Sequence, residues 1–466
     1  MHVIVVGGGI TGLAAAHRLL AGGARVTVLE SSDRLGGKLH AGRIAGAAVD
    51  LGAESMLARR PEAVDLAHAV GLGDALQPPA TGTAAVWTRG ELRPLPTGHV
   101  MGVPADPAVL AGILAPDALA RAAEDAELPR TEVGEDVAIG AYVAERLGRE
   151  VVDRLVEPLL GGVYAGDVYR ISMRAAVPAL YEAARTQRSL LAGVRGIQER
   201  AAARRQDGPV FMGIEGGVGR LPGAVADACR AAGARIVTGA PATGLRRTGE
   251  GWTVTAAGRA LTADAVVLAV PAPAAARLLA AEAPAAAAEL TAVEYASMAL
   301  VTMAFRRGDL GRVPQGRGFL VPSVDGRNIK ASTFSSNKWA WNAAQDPDLF
   351  VLRTSLGRYG EEEVLRRDDA ELVELSLRDL AEAVGISARP VESRVTRWED
   401  GLPQYPVGHL ERVARVRRHL AAHPGLAVCG AAYDGVGIPA CVAGGRAAAE
   451  AVLRTRPPAG PGSAGE

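Results

Sequence analysis

The feature that most constrains the fold is a glycine-rich turn at the start of the chain, between an apolar run over residues 3–6 and a helical pattern over residues 13–20. The turn reads G-x-G-x-x-G, and a second apolar run over residues 25–29 ends at Glu30. Its first glycine permits a tight turn, its second lets backbone N–H groups approach a pyrophosphate, and its third lets the helix lie close to the sheet. The sequence therefore predicts a Rossmann-type βαβ unit that binds a dinucleotide, with Glu30 on the adenosine ribose.

NAD and FAD both bind to this motif, and a second glycine pair distinguishes between them. Residues 34–38, Arg-Leu-Gly-Gly-Lys, resemble the R-x-G-G-R/K extension of flavoproteins, whose glycines approach the FAD phosphates again. The tail repeats a strand, a glycine turn over residues 435–439 and a helix, whose N-terminus would place partial positive charge near the flavin. We therefore expect one FAD, bound non-covalently because no Cys or His stands in the turn around Gly435.

The predicted cofactor-binding residues come from several segments. Most lie in the two glycine loops and at the acidic strand end, and the others belong to later strands and turns. They are Gly7, Gly8, Gly9, Thr11, Gly12, Glu30, Ser31, Arg34, Gly36, Gly37, Lys38, Gly52, Ala53, Glu54, Val237, Gly430, Gly437 and Ile438.

Composition narrows the set of partners. The 466 residues carry 51 basic and 51 acidic side chains, so no net field recruits nucleic acid or an anionic membrane. Only three basic residues are lysines, which is typical of a GC-rich bacterial genome: Lys38, Lys330 and Lys338. Three cysteines without a CxxC pair predict neither a disulfide framework nor a metal site. With no signal-peptide pattern and no long apolar run, the expected location is the cytoplasm, with at most peripheral membrane contact.

The chain is long and apolar enough, at 48% hydrophobic residues, to build more than one core. Glycine turns, helical periodicity and strand-like runs alternate along it, and a glycine turn near Gly161 interrupts the helical stretch. The expected segments are 1–92 (first FAD-binding segment), 93–208 (mainly helical insertion with substrate contacts), 209–272 (second FAD-binding segment), 273–400 (substrate domain with a mixed sheet), 401–456 (C-terminal FAD-binding segment) and 457–466 (disordered tail).

Further motifs connect these segments to one family. They are Gly52-Ala53-Glu54-Ser55, Leu95-Pro96-Thr97, Glu157-Pro158-Leu159, Gly162-Val163-Tyr164-Ala165-Gly166-Asp167, Gly316-Arg317-Gly318-Phe319, Ser335-Ser336-Asn337-Lys338-Trp339 and Tyr433-Asp434-Gly435-Val436-Gly437-Ile438-Pro439. In these motifs the chain resembles, nearly end to end, the bacterial coproporphyrinogen and protoporphyrinogen III oxidases of the amine-oxidase-like FAD superfamily. The resemblance implies an α/β fold of the glutathione-reductase type: a Rossmann-type FAD domain, a mixed-sheet substrate domain and a largely helical insertion.

The resemblance also implies a reaction. A porphyrinogen loses six electrons and six protons in three two-electron transfers to the flavin, and three O2 become three H2O2. A chain without a hydrophobic anchor favours the branch that converts coproporphyrinogen III to coproporphyrin III in haem b biosynthesis, with protoporphyrinogen IX as the alternative substrate. Other haem-pathway enzymes are the expected partners, and the chain is expected to be a monomer or a homodimer.

The family layout also suggests substrate-side residues. Glu54 is predicted to be catalytic, orienting pyrrole N–H groups or taking protons, with an ion pair to an arginine as the alternative. Arg60 and Arg59 are predicted to bind substrate propionates through bidentate hydrogen bonds, although adjacent arginines are often only solvated. Tyr164 is expected at the substrate cavity. Lys338 invites comparison with the lysine that some amine oxidases hold near the flavin, although a strand-edge lysine would look the same.

Two other functions stay open at this stage. An amine oxidase or carotenoid desaturase shares the scaffold, but amine oxidases usually place aromatic residues at the tail motif, where this chain has Val436-Gly437-Ile438. A non-catalytic flavoprotein that delivers porphyrin to a partner is the alternative outside the enzymes, and the intact FAD motifs weaken it.

Overall fold

A computed structural model describes residues 1–203 and 208–455 of the chain. The expected disordered tail, 457–466, lies outside the described residues. Within the described ranges, none of the helices combines the length and the apolar character that crossing a lipid bilayer requires.

A five-stranded parallel sheet forms the centre of the fold. Parallel strands covered on both faces are expected to be nearly continuous apolar runs, as these are. Their spatial order is Arg235–Val237, Arg25–Leu29, His2–Val6, Ala265–Leu268 and Leu426–Val428. Strands from distant parts of the chain thus meet in one sheet, which confirms the predicted α/β fold and its first βαβ unit.

The two faces of this sheet belong to two different cores. Val3 and Val5 point to one side, and Ile4 and Val6 point to the other, because side chains alternate along a strand. The first side is covered by the helices Ile10–Ala21, Leu221–Ala231 and Ile438–Arg454. The second side is covered by the antiparallel strands Ala242–Thr248, Gly251–Ala256 and Arg259–Ala263 and by the helices Ala272–Leu279, Pro284–Thr291 and His409–Leu420.

A seven-stranded mixed sheet forms the predicted substrate domain. Its spatial order is Glu392–Pro403, Tyr295–Arg306, Leu349–Leu356, Ile329–Thr333, Gly318–Leu320, Ala85–Thr88 and Glu91–Pro94, and the helix Asp369–Val384 packs on it. Two predicted boundaries, 92/93 and 400/401, fall within strands of this sheet, at Glu91–Pro94 and Glu392–Pro403. The pairing is long-range, so no local pattern revealed it. The division of the chain into domains stays a prediction.

The insertion is largely helical, with its own apolar core. Its helices are Pro116–Ala123, Ile139–Leu147, Arg149–Val151, Glu157–Tyr164, Met173–Ala176, Pro178–Thr186 and Leu190–Ala203, with a π-helical turn at Val152–Val156. The fully buried pair Asp125 and Arg146, with 2.5 Å between Oδ1 and Nε, ties these helices together. The expected turn near Gly161 is wrong in position, because the helix continues through it and reverses only at Ala165, where φ is +50°.

Shorter elements complete the chain. The remaining strands are Ala41–Ile44, Ala47–Asp50, Met56–Leu57, Leu76–Gln77, His99–Val100, Val103–Pro104 and Phe211–Ile214, and the remaining helices are Glu62–Ala69, Ser335–Lys338 and Ala340–Gln345. Single 3-10 turns lie at Gly73–Ala75, Pro107–Leu110, Glu124–Ala126, Val218–Arg220, Arg307–Asp309, Ser323–Asp325 and Glu362–Arg366.

Candidate functional site

The first glycine loop has the backbone geometry that its motif predicts. Gly7 has a φ of +109°, which favours glycine, and its N–H donates to Leu29 O at 2.8 Å. A Cβ on Gly12 would overlap the carbonyl oxygen of Gly7, so only glycine lets the helix start this close to the strand. A Cβ on Gly9 would meet no heavy atom within 4 Å. The loop is therefore packed tightly on the sheet side and open at Gly9, where a pyrophosphate would approach.

Glu30 fixes this loop to the end of its strand. Its Oε2 accepts the N–H of Gly8 at 2.7 Å, and its Oε1 accepts the N–H and the hydroxyl of Ser32, both at 2.8 Å, and the hydroxyl of Ser31 at 3.2 Å. The Glu30 N–H donates to Val237 O at 2.8 Å. A ribose would use the remaining lone pairs of the carboxylate. Glu30 thus also holds the loop in shape, a role that the motif alone does not indicate.

The second glycine loop lies against the first. The N–H of Gly36 donates to Gly8 O at 2.9 Å, and Gly36 also pairs with Gly9 in a parallel bridge. Lys38 follows, half-buried, and its ammonium makes no hydrogen bond or ion pair with any residue that the structure describes. Burial lowers the pKa of Lys38. Because a buried cation without an acceptor costs free energy, an anionic group such as a phosphate fits beside it.

The C-terminal segment supplies a third side of the site. Gly437 caps the helix Ile438–Arg454, and a Cβ on Gly430 would meet no heavy atom within 4 Å. This helix touches the first one closely, because a Cβ on Gly445 would overlap the carbonyl oxygen of Thr11. The open glycines, the helix N-termini and the unpaired lysine together fit a cofactor with an anionic pyrophosphate.

Residues 52–54 connect the cofactor loops to a buried carboxylate. The N–H of Ala53 donates to Lys38 O at 3.0 Å, and a Cβ on Gly52 would overlap that same oxygen. From the seven-stranded sheet, Arg353 donates to Gly52 O at 2.7 Å. The next residue, Glu54, therefore lies where the cofactor loops and the substrate-domain sheet meet.

Glu54 is buried in a dense set of partners. Its Oε1 accepts the Ser335 hydroxyl at 2.9 Å and the Trp339 indole N–H at 2.8 Å, and its Oε2 lies 2.8 Å from Arg353 Nη2 and 3.6 Å from Lys338 Nζ. Burial alone would raise the pKa of Glu54, but the two cations and two hydrogen bonds outweigh it and lower the pKa to about 2.

These contacts favour the ion-pair alternative for Glu54 over proton transfer. A carboxylate with a pKa near 2 stays ionised at neutral pH and accepts a proton weakly. It joins the segment 52–54 to the seven-stranded sheet by charge. Its predicted catalytic role therefore stays a prediction, and the geometry gives it a positioning role.

The structure separates the other predicted substrate residues from this carboxylate. Arg59 and Arg60 are exposed, and Arg60 Nη2 pairs with Glu62 Oε1 at 2.6 Å. Tyr164 is buried in the insertion core, with its ring 5.5 Å from that of Tyr405, and burial raises the pKa of its hydroxyl to about 12. The register along the chain had suggested that the arginines accompany Glu54 at the site; both are exposed here, and their binding of propionates stays a prediction.

Two arginines were missed, one in contact with Glu54 and one that acts on Lys338. Arg353 is the one charged residue in the mostly buried strand Leu349–Leu356, and a lone charge in a buried run is a signal that could have found it. Arg317 stands in the quoted motif 316–319, but no role was assigned to it. Its guanidinium lies 6.0 Å from the centroid of the Phe211 ring.

Comparison with known proteins identifies the fold and the family. The model of the family described as flavin containing amine oxidoreductase matches residues 10–453. The chain belongs to this family. The predicted resemblance is thereby confirmed, and the family's flavin agrees with the site described above. The chain is 38% identical over 451 residues to the coproporphyrinogen III oxidase of Mycobacterium tuberculosis, an alignment that covers 95% of both chains.

Two further comparisons agree. The chain is 33% identical to the coproporphyrinogen III oxidase of Bacillus subtilis, covering 97% of this chain and 98% of the relative. It superposes with a TM-score of 0.86 on a crystal structure from Exiguobacterium sp. that is provisionally assigned as a protoporphyrinogen oxidase, at 33% identity, over 98% of this chain and 99% of that one.

Proposed function

We propose that this chain oxidises coproporphyrinogen III to coproporphyrin III, with non-covalent FAD as its cofactor and O2 as the terminal oxidant. The observation that carries the proposal is the end-to-end similarity to oxidases of that name, in a chain whose glycine loops and tail helix fit a dinucleotide. The balanced reaction is coproporphyrinogen III plus three O2 to coproporphyrin III plus three H2O2.

The residues of this chain would hold the cofactor from three sides. The N–H groups of the first loop and the N-terminus of the helix Ile10–Ala21 would face the pyrophosphate, with Lys38 as a cation beside it. Glu30 would fix the loop and accept from the ribose. When bound, FAD supplies the two-electron acceptor, so the protein needs to position and desolvate the substrate rather than provide a strong base.

Non-covalent attachment is supported by the state of the cysteines. Cys441 lies near the tail turn, with its Sγ 3.7 Å from Gly435 O, and burial raises the pKa of its thiol. Cys429 is fully buried, and burial raises its pKa as well. Both thiols stay neutral and are therefore poor nucleophiles toward the flavin. Acid precipitation should release all of the yellow colour, and colour left in the pellet would contradict this.

Protoporphyrinogen IX is the second candidate substrate, and the assignment of the Exiguobacterium structure favours it. The cytoplasmic location, the partners from haem biosynthesis and the monomeric or homodimeric state remain predictions.

An anaerobic experiment tests the proposed activity. The purified holoenzyme is mixed with coproporphyrinogen III, protoporphyrinogen IX or a polyamine under argon, and flavin absorbance is followed. We expect coproporphyrinogen III to bleach the flavin, and readmitted oxygen to be consumed at three O2 per porphyrin formed. Bleaching by the polyamine alone, or by none of the three, would refute the proposal.

A further inference from the structure

Arg317 is a half-buried cation without a partner. Its backbone is fixed, since its N–H donates to Thr83 O at 2.9 Å and its carbonyl accepts the N–H of Phe334 at 3.0 Å. Its guanidinium, however, makes no hydrogen bond or ion pair with any residue in the described ranges, and it lies 6.0 Å from the centroid of the Phe211 ring. Burial lowers the pKa of Arg317. Its five donors are therefore unfilled by the protein and available to a ligand that reaches this half-buried side chain.

Lys338 is a second cation with weak contacts. Its side chain is only 13% exposed, yet its ammonium lies 3.4 Å from the Ser55 hydroxyl and 3.6 Å from Glu54 Oε2. Both distances exceed the usual 2.7–3.2 Å of such hydrogen bonds. Glu54 Oε2 is taken first by Arg353, at 2.8 Å. Lys338 therefore keeps donor capacity that the protein does not fill.

The local charge is unbalanced toward the positive. Besides burial, the positive charges of Arg353 and Arg317 each lower the pKa of Lys338, whereas Glu54 is the carboxylate that contacts Arg353 and Lys338. The nearby Asp50 directs its oxygens elsewhere, accepting the N–H groups of Val218 and Gly219 at 3.0 and 2.8 Å. A surplus positive charge next to the cofactor-facing segment points to an anionic ligand.

The use of lysine in this chain agrees with that reading. Only three of its 51 basic residues are lysines, and burial lowers the pKa of each of them: Lys38, Lys330 and Lys338. Arginine occurs at both exposed and buried sites, whereas each of the three lysines stands in a confined, partly dehydrated place, such as the site beside Glu54.

We infer that Arg317 and Lys338 together bind a propionate carboxylate of the porphyrinogen, with the Ser55 hydroxyl as a further donor. The inference rests on the proposed function and names its specificity residues. Arg317 offers the planar fork that matches a carboxylate, and Lys338 offers a point charge. The pair takes the role that the sequence pattern had suggested for Arg59 and Arg60.

Binding of the product tests the inference without turnover. Kd values are measured by porphyrin fluorescence for coproporphyrin III and for its tetramethyl ester, which lacks the charges, on the oxidised holoenzyme. The variants are Arg317→Met and Lys338→Met, with Arg312→Met, an exposed arginine in the same loop, as the matched control.

We expect each of the two variants to raise the Kd of the tetra-acid about tenfold, which equals about 1.4 kcal/mol, and to leave the Kd of the ester and the FAD content unchanged. The control should change neither Kd. An equal change for acid and ester, no change for either, or loss of FAD would overturn the inference.

Two further results keep the outcomes distinct. If a methionine variant does not fold, Arg317→Lys carries the same test, because it keeps the charge but not the fork, and we expect the tetra-acid Kd to rise about threefold. The proposed function fails separately, if the wild-type enzyme binds coproporphyrin III but does not oxidise coproporphyrinogen III.

Discussion

Glu30 and Glu54 are two carboxylates with different environments and different expected contributions. Glu30 accepts hydrogen bonds from the N–H groups and hydroxyls of a loop, whereas Glu54 pairs with an arginine, accepts from a hydroxyl and an indole N–H, and lies 3.6 Å from a lysine in the interior. We therefore expect Glu30 to affect cofactor retention and Glu54 to affect the stability of the fold.

Replacing Glu30 by alanine should weaken FAD retention far more than it changes chemistry. The change removes the acceptor of Gly8 N–H and Ser32 N–H, remote from the reacting atoms, so the loop loses its shape. The FAD-to-protein ratio after gel filtration is the measurement, with the reductive rate normalised to bound FAD. A normal FAD content with a collapsed rate per flavin would contradict this.

Glu54→Gln should destabilise the protein by about 3–5 kcal/mol at pH 7, because it leaves Arg353 and Lys338 buried without a counter-charge. Since the folded pKa of Glu54 is depressed to about 2 from an ordinary 4.5, its stabilising effect is complete above pH 4.5 and declines as the pH falls toward 2. Urea unfolding at pH 7 and pH 4 should show a smaller wild-type-to-variant difference at pH 4.

The exposed Asp227, which pairs with Arg230, provides the matched control for that comparison. Asp227→Asn should change the free energy of unfolding little at either pH, because an exposed ion pair is well solvated. A Glu54→Gln protein as stable as wild type would show that the buried network carries no net stabilisation.

Individual residues were predictable only where a local motif specifies them. The glycines of the first loop and Glu30 follow from spacing alone, and their contacts confirm the loop geometry. Arg353 comes to Glu54 from a strand about 300 positions away in sequence, and no local pattern encodes that meeting. Arg59 and Arg60 were predicted by proximity to Glu54 in sequence, and their role stays a prediction.

At the scale of elements, the close contact between the first and last helices decides whether the tail reaches the cofactor loops. Gly445 and Thr11 touch where any larger residue would overlap backbone. The strand, glycine turn and helix order of the tail predicted this element correctly. The sheet partner of residues 85–94 was not predictable, because a short hairpin can pair with either sheet.

Gly445→Ala should lower both the unfolding midpoint and the FAD content. Its methyl group would overlap the carbonyl oxygen of Thr11 and push the helix Ile438–Arg454 outward, at a cost of about 1–3 kcal/mol. The matched control is Gly223→Ala, in the exposed part of the helix Leu221–Ala231, where the methyl group meets nothing within 4 Å. That control should be stabilising by about 0.5–1 kcal/mol. Equal effects of the two changes would refute this packing argument.

At the scale of the whole molecule, three discontinuous segments build one cofactor site, and a mixed sheet and a helical insertion surround it. This architecture could be predicted because motifs typical of one family occur in successive segments of the chain. The charge at the substrate side was not predictable, since it arises from the packing of the two sheets against residues 52–55. On the inference above, we expect the same charge to favour a substrate with four propionates over one with two.

A comparison of two porphyrinogens tests the central claim most directly. Initial rates of porphyrin fluorescence are measured with the wild-type holoenzyme for coproporphyrinogen III, with four propionates, and for protoporphyrinogen IX, with two, at matched oxygen. Protoporphyrinogen IX, with fewer carboxylates, would leave buried donors of the protein unpaired, and each unpaired donor costs about 1–3 kcal/mol. We therefore expect the higher kcat/KM for coproporphyrinogen III. A higher kcat/KM for protoporphyrinogen IX would contradict the substrate assignment, and no porphyrin from either would contradict the proposed activity.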